Sequence, residues 1–242
     1  MNGLNMLSQA TIKEWAVQWQ TSPINVAREY LQHVFLSYLY QFPESEKLAF
    51  KGGTALRLLF QSPRFSEDLD FTGSVKPYHL ERLLSQTVEK VSKEAIPLKV
   101  QESKPTSGGY LALYQGEIYG EAVGIELNVS LRTKAKGEPL LVTTPLLPSY
   151  QCMILPLKEL VREKCQALLF RRKPRDYYDL YFLLRSRLGM EAILPLKSQL
   201  LESVKSLDNK SATRELKTFL PASHHRTISN LQQALSSELN RL

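Results

Sequence analysis

The chain has 242 residues, of which 43% are hydrophobic, and a formal net charge of +7 from 31 Lys and Arg against 24 Asp and Glu. This composition can build a sizeable buried core and excludes a disordered chain. Two cysteines without a CxxC pattern exclude a disulfide scaffold and a thiolate zinc site, and they fit a reducing cytosol. Because neither a signal-peptide pattern nor an 18-residue apolar run occurs, we expect a cytoplasmic protein without a membrane partner.

The first part of the chain predicts two helices and then a strand, a glycine turn, a helix and a second strand. Apolar residues have helical spacing over 9–20 and 25–40, and Pro23 suits the start of the second helix. The stretch "KLAF" is strand-like and precedes Gly52-Gly53, after which a helix is predicted to about Phe60. A turn at "QSPR" leads into "DLDF" as the second strand.

The middle of the chain predicts a further helix and three strands, and the remainder predicts helices. The helix spans 77–92, and "PLKVQ" and "GGYLALYQG" are strands separated by a "SKPTSGG" turn. In "VGIELNVSLR" apolar and polar residues alternate strictly, which places Glu126 on the polar face of a strand. The stretch "TTPLLPSYQ" is predicted to be a linker at a boundary near 145–155, and helices follow from Pro156.

A pair of glycines and a pair of aspartates occur close together in "FKGGTALRLLFQSPRFSEDLDF". Asp68 and Asp70 are two residues apart on a strand and therefore point to the same face, where paired carboxylates suit Mg²⁺. Gly52 and Gly53 form a strand-to-helix turn whose backbone N–H groups can approach a phosphate at the positive end of a helix, with the Thr54 hydroxyl next to them. The two halves together predict a nucleoside-triphosphate and metal site.

Positive charge is concentrated in one short stretch of the chain. Residues 157–175 hold seven Lys or Arg and two Glu, so this stretch carries five of the seven net positive charges. Such a local excess favours a phosphate-rich partner. Within the stretch, Lys164 falls in the middle of an apolar helical stripe. Either its stem packs while its ammonium reaches solvent, or the ammonium binds an anion in a cleft.

The stretch "KGGTALRLLFQSPRFSEDLDF" closely resembles the first motif of the AbiEii/AbiGii toxin family of nucleotidyltransferases, in the DNA polymerase beta-like superfamily. That superfamily is marked by a Gly-Gly or Gly-Ser turn followed by an Asp-x-Asp strand. A second stretch, "REKCQALLFRRKPRDYYDLYFLL", is similar to the family's later Lys and Arg-Asp-x-x-Asp motif. The resemblance covers residues from about 20 to 190.

The resemblance implies an α+β fold, with a nucleotidyltransferase-type mixed β-sheet core flanked by helices and a helical C-terminal region. We expect N-terminal helices over 1–48, the nucleotidyltransferase core over 49–150 and a helical region over 151–242 that completes the active site. It also implies a toxin of a toxin–antitoxin system, neutralised by a cognate antitoxin protein.

The resemblance further implies roles for residues outside the glycine pair and the aspartate pair. Glu126 matches a third metal carboxylate, although its position also suits an ordinary polar-face residue. Lys164 is assigned to the triphosphate, and Asp176 and Asp179 to the active-site wall, although an acidic residue in a first helical turn can simply favour the helix dipole. Arg64 and Ser66 match the family's Arg-x-Ser as substrate contacts, although a serine there also suits a turn. Lys51 precedes the glycines and joins the predicted nucleotide-binding set: Lys51, Gly52, Gly53, Thr54, Arg64, Ser66 and Lys164.

The function expected from these residues is transfer of a nucleotide from an NTP to an acceptor hydroxyl, with Mg²⁺ or Mn²⁺ held by Asp68, Asp70 and Glu126. The preferred acceptor is the 3′ end of a tRNA, because a basic helical region suits a phosphate-rich substrate. Two alternatives remain open at this point. The chain could transfer a nucleotide to a protein side chain, or it could be a nucleotide-binding module without activity.

Overall fold

The computed structural model describes residues 6–133 and 135–242. The chain divides into two compact units. The first consists of the described residues up to Gln61 together with Phe65–Leu155, and the second consists of Ser62–Arg64 together with Pro156–Leu242. The first unit contains a sheet with helices, and the second is helical.

The elements of the first unit follow the order expected from the sequence in most places. Its helices are α1 Gln9–Gln18, α2 Pro23–Leu39, α3 Gly52–Phe60 and α4 Pro77–Glu94. Its strands are β1 Leu48–Lys51, β2 Asp68–Gly73, β3 Leu98–Thr106, β4 Gly109–Ile118, β5 Glu121–Ser130, β6 Glu138–Val142 and β7 Tyr150–Ile154.

Seven strands of the described chain form one mixed sheet in the order β3-β4-β5-β2-β1-β7-β6. The central strand β2 pairs antiparallel with β1 and parallel with β5. Strand β7 runs parallel to β1, and the remaining neighbours pair antiparallel. A mixed sheet with flanking helices confirms the α+β fold class.

One local prediction was wrong, and two strands were missed. The predicted "SKPTSGG" turn is mostly strand, because β3 is an edge strand that continues to Thr106, and Pro105 is tolerated on an edge where its missing N–H breaks no ladder bond. The predicted linker "TTPLLPSYQ" contains no helix or strand up to Ser149 and then enters β7, whose Ile154 is the register partner of Phe50 in β1. The preceding run of Thr, Pro and Ser concealed this five-residue strand, and β6 was not predicted at all.

The core beneath β1 and β2 fixes the strand that carries the aspartates. Phe50 and Phe71 are fully buried, and their ring centroids are 5.3 Å apart. Helix α3 is held by Arg57, whose Nε donates to Glu29 Oε2 over 2.8 Å and whose guanidinium lies 4.0 Å from the centroid of the Phe65 ring. Helix α3 and strand β2 are therefore both anchored by side-chain contacts within the first unit.

The second unit is built from short helices. These are α5 Leu157–Arg171, α6 Pro174–Arg185, α7 Met190–Ile193, α8 Lys197–Lys205, α9 Asn209–Leu216, α10 His225–Ser229 and α11 Leu231–Asn240. Proline at the first position of α6 suits a helix start, and the Tyr177 hydroxyl donates to the Ser203 carbonyl over 3.1 Å. In the described residues, no helix is both long and apolar enough to cross a membrane.

Candidate active site

The two aspartates of β2 lie on one face of the sheet. Asp68 and Asp70 are partly exposed, whereas the alternating residues Leu69 and Phe71 are fully buried. This is the arrangement that the two-residue spacing predicts, because successive side chains of a strand point to opposite faces. The aspartates are therefore presented to solvent by a strand whose other face is fixed in the core.

Strand β5 adds a third carboxylate and an amide beside them. In the parallel pairing of β2 with β5, Glu126 is the register partner of Asp68, and Asn128 is the partner of Asp70. Glu126 is exposed, and its Oε1 accepts a hydrogen bond of 3.0 Å from Asn128 Nδ2. Sequence reasoning did not select Asn128, although its position two residues after Glu126 on the polar face was a usable signal.

The glycine turn lies directly against the second aspartate. Lys51 is the register partner of Asp70 in the antiparallel pairing of β1 with β2, so the next residue, Gly52, begins α3 beside the Asp70 side chain. Gly52 has a φ of +86°, and a Cβ added there would lie 2.3 Å from Asp70 Oδ2. Both the backbone conformation and the space at this position therefore require glycine.

Thr54 ties the helix to the strand. Its side chain is buried, and its hydroxyl donates a hydrogen bond to the backbone carbonyl of Asp68. Gly53 is also buried. Thr54 therefore holds the first turn of α3 against the start of β2, which is a structural contact that the nucleotide-binding prediction did not include.

The carboxylates of this site have the donor chemistry that the predicted metal requires. Mg²⁺ and Mn²⁺ prefer oxygen ligands, and Asp68, Asp70 and Glu126 supply carboxylate oxygens from two adjacent strands. Among the residues that the structure describes, no three Asp, Glu, His or Cys side chains are gathered as a metal-binding group. The fit of Asp68, Asp70 and Glu126 to a divalent cation therefore rests on their oxygen chemistry and on their placement on two adjacent strands.

In the second unit, the Asp179 carboxylate forms ion pairs with two basic side chains. Arg64 Nε and Nη2 donate to its two carboxylate oxygens over 2.8 and 3.0 Å, and Lys164 Nζ donates to Oδ2 over 2.8 Å. Burial alone would raise the pKa of Asp179, but the Arg64 guanidinium and the Lys164 ammonium outweigh it and lower the pKa to about 2. The Lys164 ammonium thus binds a carboxylate of the protein, which neither sequence-based alternative foresaw.

Asp176 is a helix-capping residue. It is buried in the first turn of α6, accepts two hydrogen bonds of 2.9 and 2.7 Å from Arg171, and accepts a third of 3.2 Å from the Lys173 backbone N–H. These contacts secure the start of α6. They agree with the helix-start alternative for Asp176, while a role in the active-site wall remains a prediction.

The predicted site residues therefore fall into two groups. The structure brings Asp68, Asp70, Glu126 and the glycine turn together in the first unit, and it places Lys164, Arg64, Asp179 and Asp176 in the second. Ser66 lies before β2, and its carbonyl accepts a 2.9 Å hydrogen bond from Gln32.

Comparison with protein families matches residues 34–238 to the family described as nucleotidyl transferase AbiEii toxin of type IV toxin–antitoxin systems. A search of curated proteins finds no significant match.

Solved structures share the fold of this chain. MenT4, a nucleotidyltransferase toxin of Mycobacterium tuberculosis H37Rv, aligns with a TM-score of 0.64 and 17% identity over 98% of this chain and 90% of its own. JHP933 of Helicobacter pylori aligns with a TM-score of 0.57 and 23% identity over 91% of this chain and 95% of its own.

We expect Gly52→Ala to lower the free energy of unfolding by about 1–3 kcal/mol, since it combines a left-handed φ with a side-chain collision at Asp70. The matched control is Gly124→Ala in β5, where an added Cβ would meet only the Tyr114 carbonyl at 3.8 Å. Urea denaturation measures both variants. Equal stability of the two would contradict the proposed packing of the turn against Asp70.

We expect Asp179→Asn to lower the free energy of unfolding by about 3–5 kcal/mol, because it leaves Arg64 and Lys164 without their shared buried carboxylate. The exposed pair of Glu202 with Lys205 offers a control, and Glu202→Gln should leave the denaturation midpoint unchanged.

The same ion pairs predict a pH dependence of stability. The folded pKa of Asp179 lies below its ordinary value of 3.8, so the contribution of Asp179 to the free energy of unfolding is present above pH 4 and is lost as the pH falls through about 2. The stability difference between wild type and Asp179→Asn should therefore shrink between pH 4 and pH 2, and a difference constant over that range would contradict the assignment.

Proposed function

Because the chain belongs to the AbiEii family of nucleotidyl transferase toxins, from type IV toxin–antitoxin systems, we propose a specific reaction for it. The chain transfers a nucleoside monophosphate from an NTP to an acceptor hydroxyl in a reaction that depends on Mg²⁺ or Mn²⁺. The preferred acceptor is the 3′ end of a tRNA.

One observation carries this proposal. Asp68 and Asp70 share a solvent-facing side of β2, Glu126 stands in register with Asp68, and the Asp70 carboxylate lies against the backbone of Gly52 at the start of α3. Carboxylates suited to a metal ion and backbone N–H groups suited to a phosphate therefore lie at the same end of β2. Neither group alone would favour nucleotide transfer over other chemistry.

In the proposed reaction, the acceptor hydroxyl oxygen forms a bond to the α-phosphorus of the NTP. The bond from that phosphorus to the oxygen bridging to the β-phosphate breaks, and pyrophosphate leaves. The hydroxyl proton passes to the Glu126 carboxylate, which is exposed and held on one oxygen by Asn128. A divalent cation held by Asp68, Asp70 and Glu126 would supply positive charge that stabilises the oxygens around the phosphorus.

The phosphates of the NTP are proposed to bind at the glycine turn. The N–H groups at the start of α3 lie at the positive end of the helix, and a glycine at position 52 lets an anion approach the backbone closely. Lys51, the residue before the turn, adds a positive charge on β1. The Thr54 hydroxyl fixes this turn to β2 through its hydrogen bond to the Asp68 carbonyl.

The roles proposed for the second unit rest on the family resemblance together with the contacts described above. Lys164 stays assigned to the triphosphate. Its ammonium has three N–H donors, and Asp179 accepts one of them, so Arg64 and Asp179 are proposed as residues that position Lys164. Asp176 is proposed to position the start of α6, and Ser66 is kept as a substrate contact.

Charge and exposure in the second unit favour RNA as the acceptor. Of the positive residues over 157–175, Arg162, Lys164 and Arg171 form ion pairs with carboxylates. Arg172 and Lys173 are exposed, and they follow Phe170, whose side chain is 92% exposed. An exposed aromatic ring beside exposed cations suits a single-stranded nucleic acid, whose bases stack and whose phosphates are anionic.

We also propose the wider setting that the family implies. The organisation is N-terminal helices over 1–48, the nucleotidyltransferase core over 49–150 and the helical region over 151–242. A cognate antitoxin protein is the expected partner of the toxin, and the cytoplasm is its expected location.

We expect Asp70→Asn to reduce nucleotide transfer by about 100-fold or more while the fold stays intact, because it removes metal-ligand charge and keeps the side-chain size. The assay incubates the chain with each labelled NTP and Mg²⁺, together with either total RNA or lysate protein. Glu117→Gln on β4 is the control for loss of an acidic residue from the same sheet and should transfer at the wild-type rate. Nucleotide transfer by Asp70→Asn near the wild-type rate would contradict the proposed mechanism. Labelled nucleotide found only on protein, and not on RNA, would contradict the proposal of a tRNA acceptor.

We expect the double variant Arg172→Ala/Lys173→Ala to bind RNA more weakly and to reduce the salt slope of binding by about 1–2, since each phosphate contact releases counterions. Fluorescence anisotropy with labelled tRNA at several salt concentrations gives this slope. Lys205→Ala removes an exposed lysine from α8 in the same unit and serves as the control. An unchanged slope in the double variant would show that this segment does not contact the RNA backbone.

A further inference from the structure

A cleft of about 370 Å³ extends from the candidate active site across strands β4 and β5. Asp68 and Glu126 border it at one end, together with Arg28 and Glu67, which form an ion pair of 3.1 Å. Its described lining residues include neither Asp70 nor the glycine turn. The cleft therefore opens from the Glu126 side of the carboxylates, opposite the turn at which the triphosphate is proposed to bind.

The charge of this cleft indicates what it can hold. Its described lining residues contain one cation, Arg28, and three carboxylates, those of Glu67, Asp68 and Glu126. A net negative surface disfavours a triphosphate inside the cleft, and it can accept the neutral base and sugar of a nucleoside whose phosphate stays outside the cleft. The volume lies within the range of about 300–1,000 Å³ that is usual for pockets binding small molecules.

The floor of the cleft is flat and open. Ala122, Gly124 and Glu126 are each two positions apart along β5, so they lie on the same solvent-facing side of the strand. A Cβ built on Gly124 would meet only the Tyr114 carbonyl, at 3.8 Å, so neighbouring atoms leave space above this residue. A glycine inside a strand often marks a place where a ligand approaches the backbone closely.

Amide groups stand beside this floor. Gln101, at the irregularity in β3, donates from Nε2 to Gln115 Oε1 of β4 over 2.9 Å, and both residues line the cleft. This hydrogen bond orients the two amides and leaves each with further donors and acceptors. Paired amides at the edge of a flat floor match the polar edge of a nucleobase.

We propose that this cleft binds the 3′-terminal nucleoside of the RNA acceptor, with its base flat over Gly124 and its edge at Gln101 and Gln115. The proposal rests on the proposed function and adds to it the acceptor-binding site. The terminal ribose lies next to Glu126 and Asp68. Its hydroxyl oxygen bonds to the α-phosphorus, its proton passes to Glu126, and the NTP loses pyrophosphate.

The test fills the floor of the cleft with Gly124→Val and removes an amide with Gln115→Leu. Both residues are on strands, and a Cβ at position 124 would meet only the Tyr114 carbonyl at 3.8 Å, so the fold should persist; melting temperature checks this. Glu117→Val adds a β-branched residue on β4 outside the cleft and is the matched control. The probes are labelled tRNA for equilibrium binding and transfer, and NTP with Mg²⁺ for calorimetry.

We expect Gly124→Val to raise the Kd and the KM for tRNA about tenfold or more, Gln115→Leu to raise them several-fold, and Glu117→Val to change neither. Affinity for NTP should stay within twofold in all three variants. Unchanged tRNA binding in Gly124→Val, or a selective loss of NTP affinity, would overturn the proposal. If the wild type transfers nucleotide to no acceptor, the proposed function fails, whereas this site is still judged by whether Gly124→Val weakens tRNA binding.

Discussion

The contact between the Asp70 carboxylate and the backbone of Gly52 is the constraint on which the candidate active site depends. Antiparallel pairing places Lys51 opposite Asp70, so the chain must turn into α3 directly beside a carboxylate. A glycine with φ of +86° makes that approach possible. The same pairing network puts Glu126 in register with Asp68, so a single central strand places the glycine turn and the carboxylates of Asp68, Asp70 and Glu126 on neighbouring strands.

The predicted site carboxylates of the second unit are buried, unlike Asp68, Asp70 and Glu126 in the first unit. Asp179 and Asp176 are almost fully buried, and they are bound by Arg64, Lys164 and Arg171. Three cations and two carboxylates leave one excess positive charge. Buried ion pairs of this kind contribute little net stability compared with apolar packing, although breaking one is costly. Within this cluster the Asp179 carboxylate also fixes the position of the Lys164 ammonium.

The sequence predicted the parts of this structure that depend on short-range patterns. The two-residue spacing of Asp68 and Asp70 and the strict alternation around Glu126 identified one face of a strand, and the glycine pair identified the turn. Strand β7 was missed because the Thr, Pro and Ser residues before it indicate a loop, and because its pairing with β1, about 100 residues earlier, leaves no local pattern. The partners of Lys164 were missed for the same reason, since Arg64 and Asp179 meet it only through the tertiary fold. The cleft over Gly124 likewise depends on the pairing of three strands.

The central claim is that acidic metal ligands and the glycine turn form one nucleotide site, and NTP affinity with and without a divalent cation tests it most directly. Isothermal titration of the wild-type chain with NTP should give measurable binding in Mg²⁺ and a loss of affinity of about tenfold or more in EDTA, because the phosphates would otherwise face Asp68 and Asp70 directly. Equal affinity in Mg²⁺ and in EDTA would contradict the account, since the carboxylates and the turn would then not act on the same nucleotide.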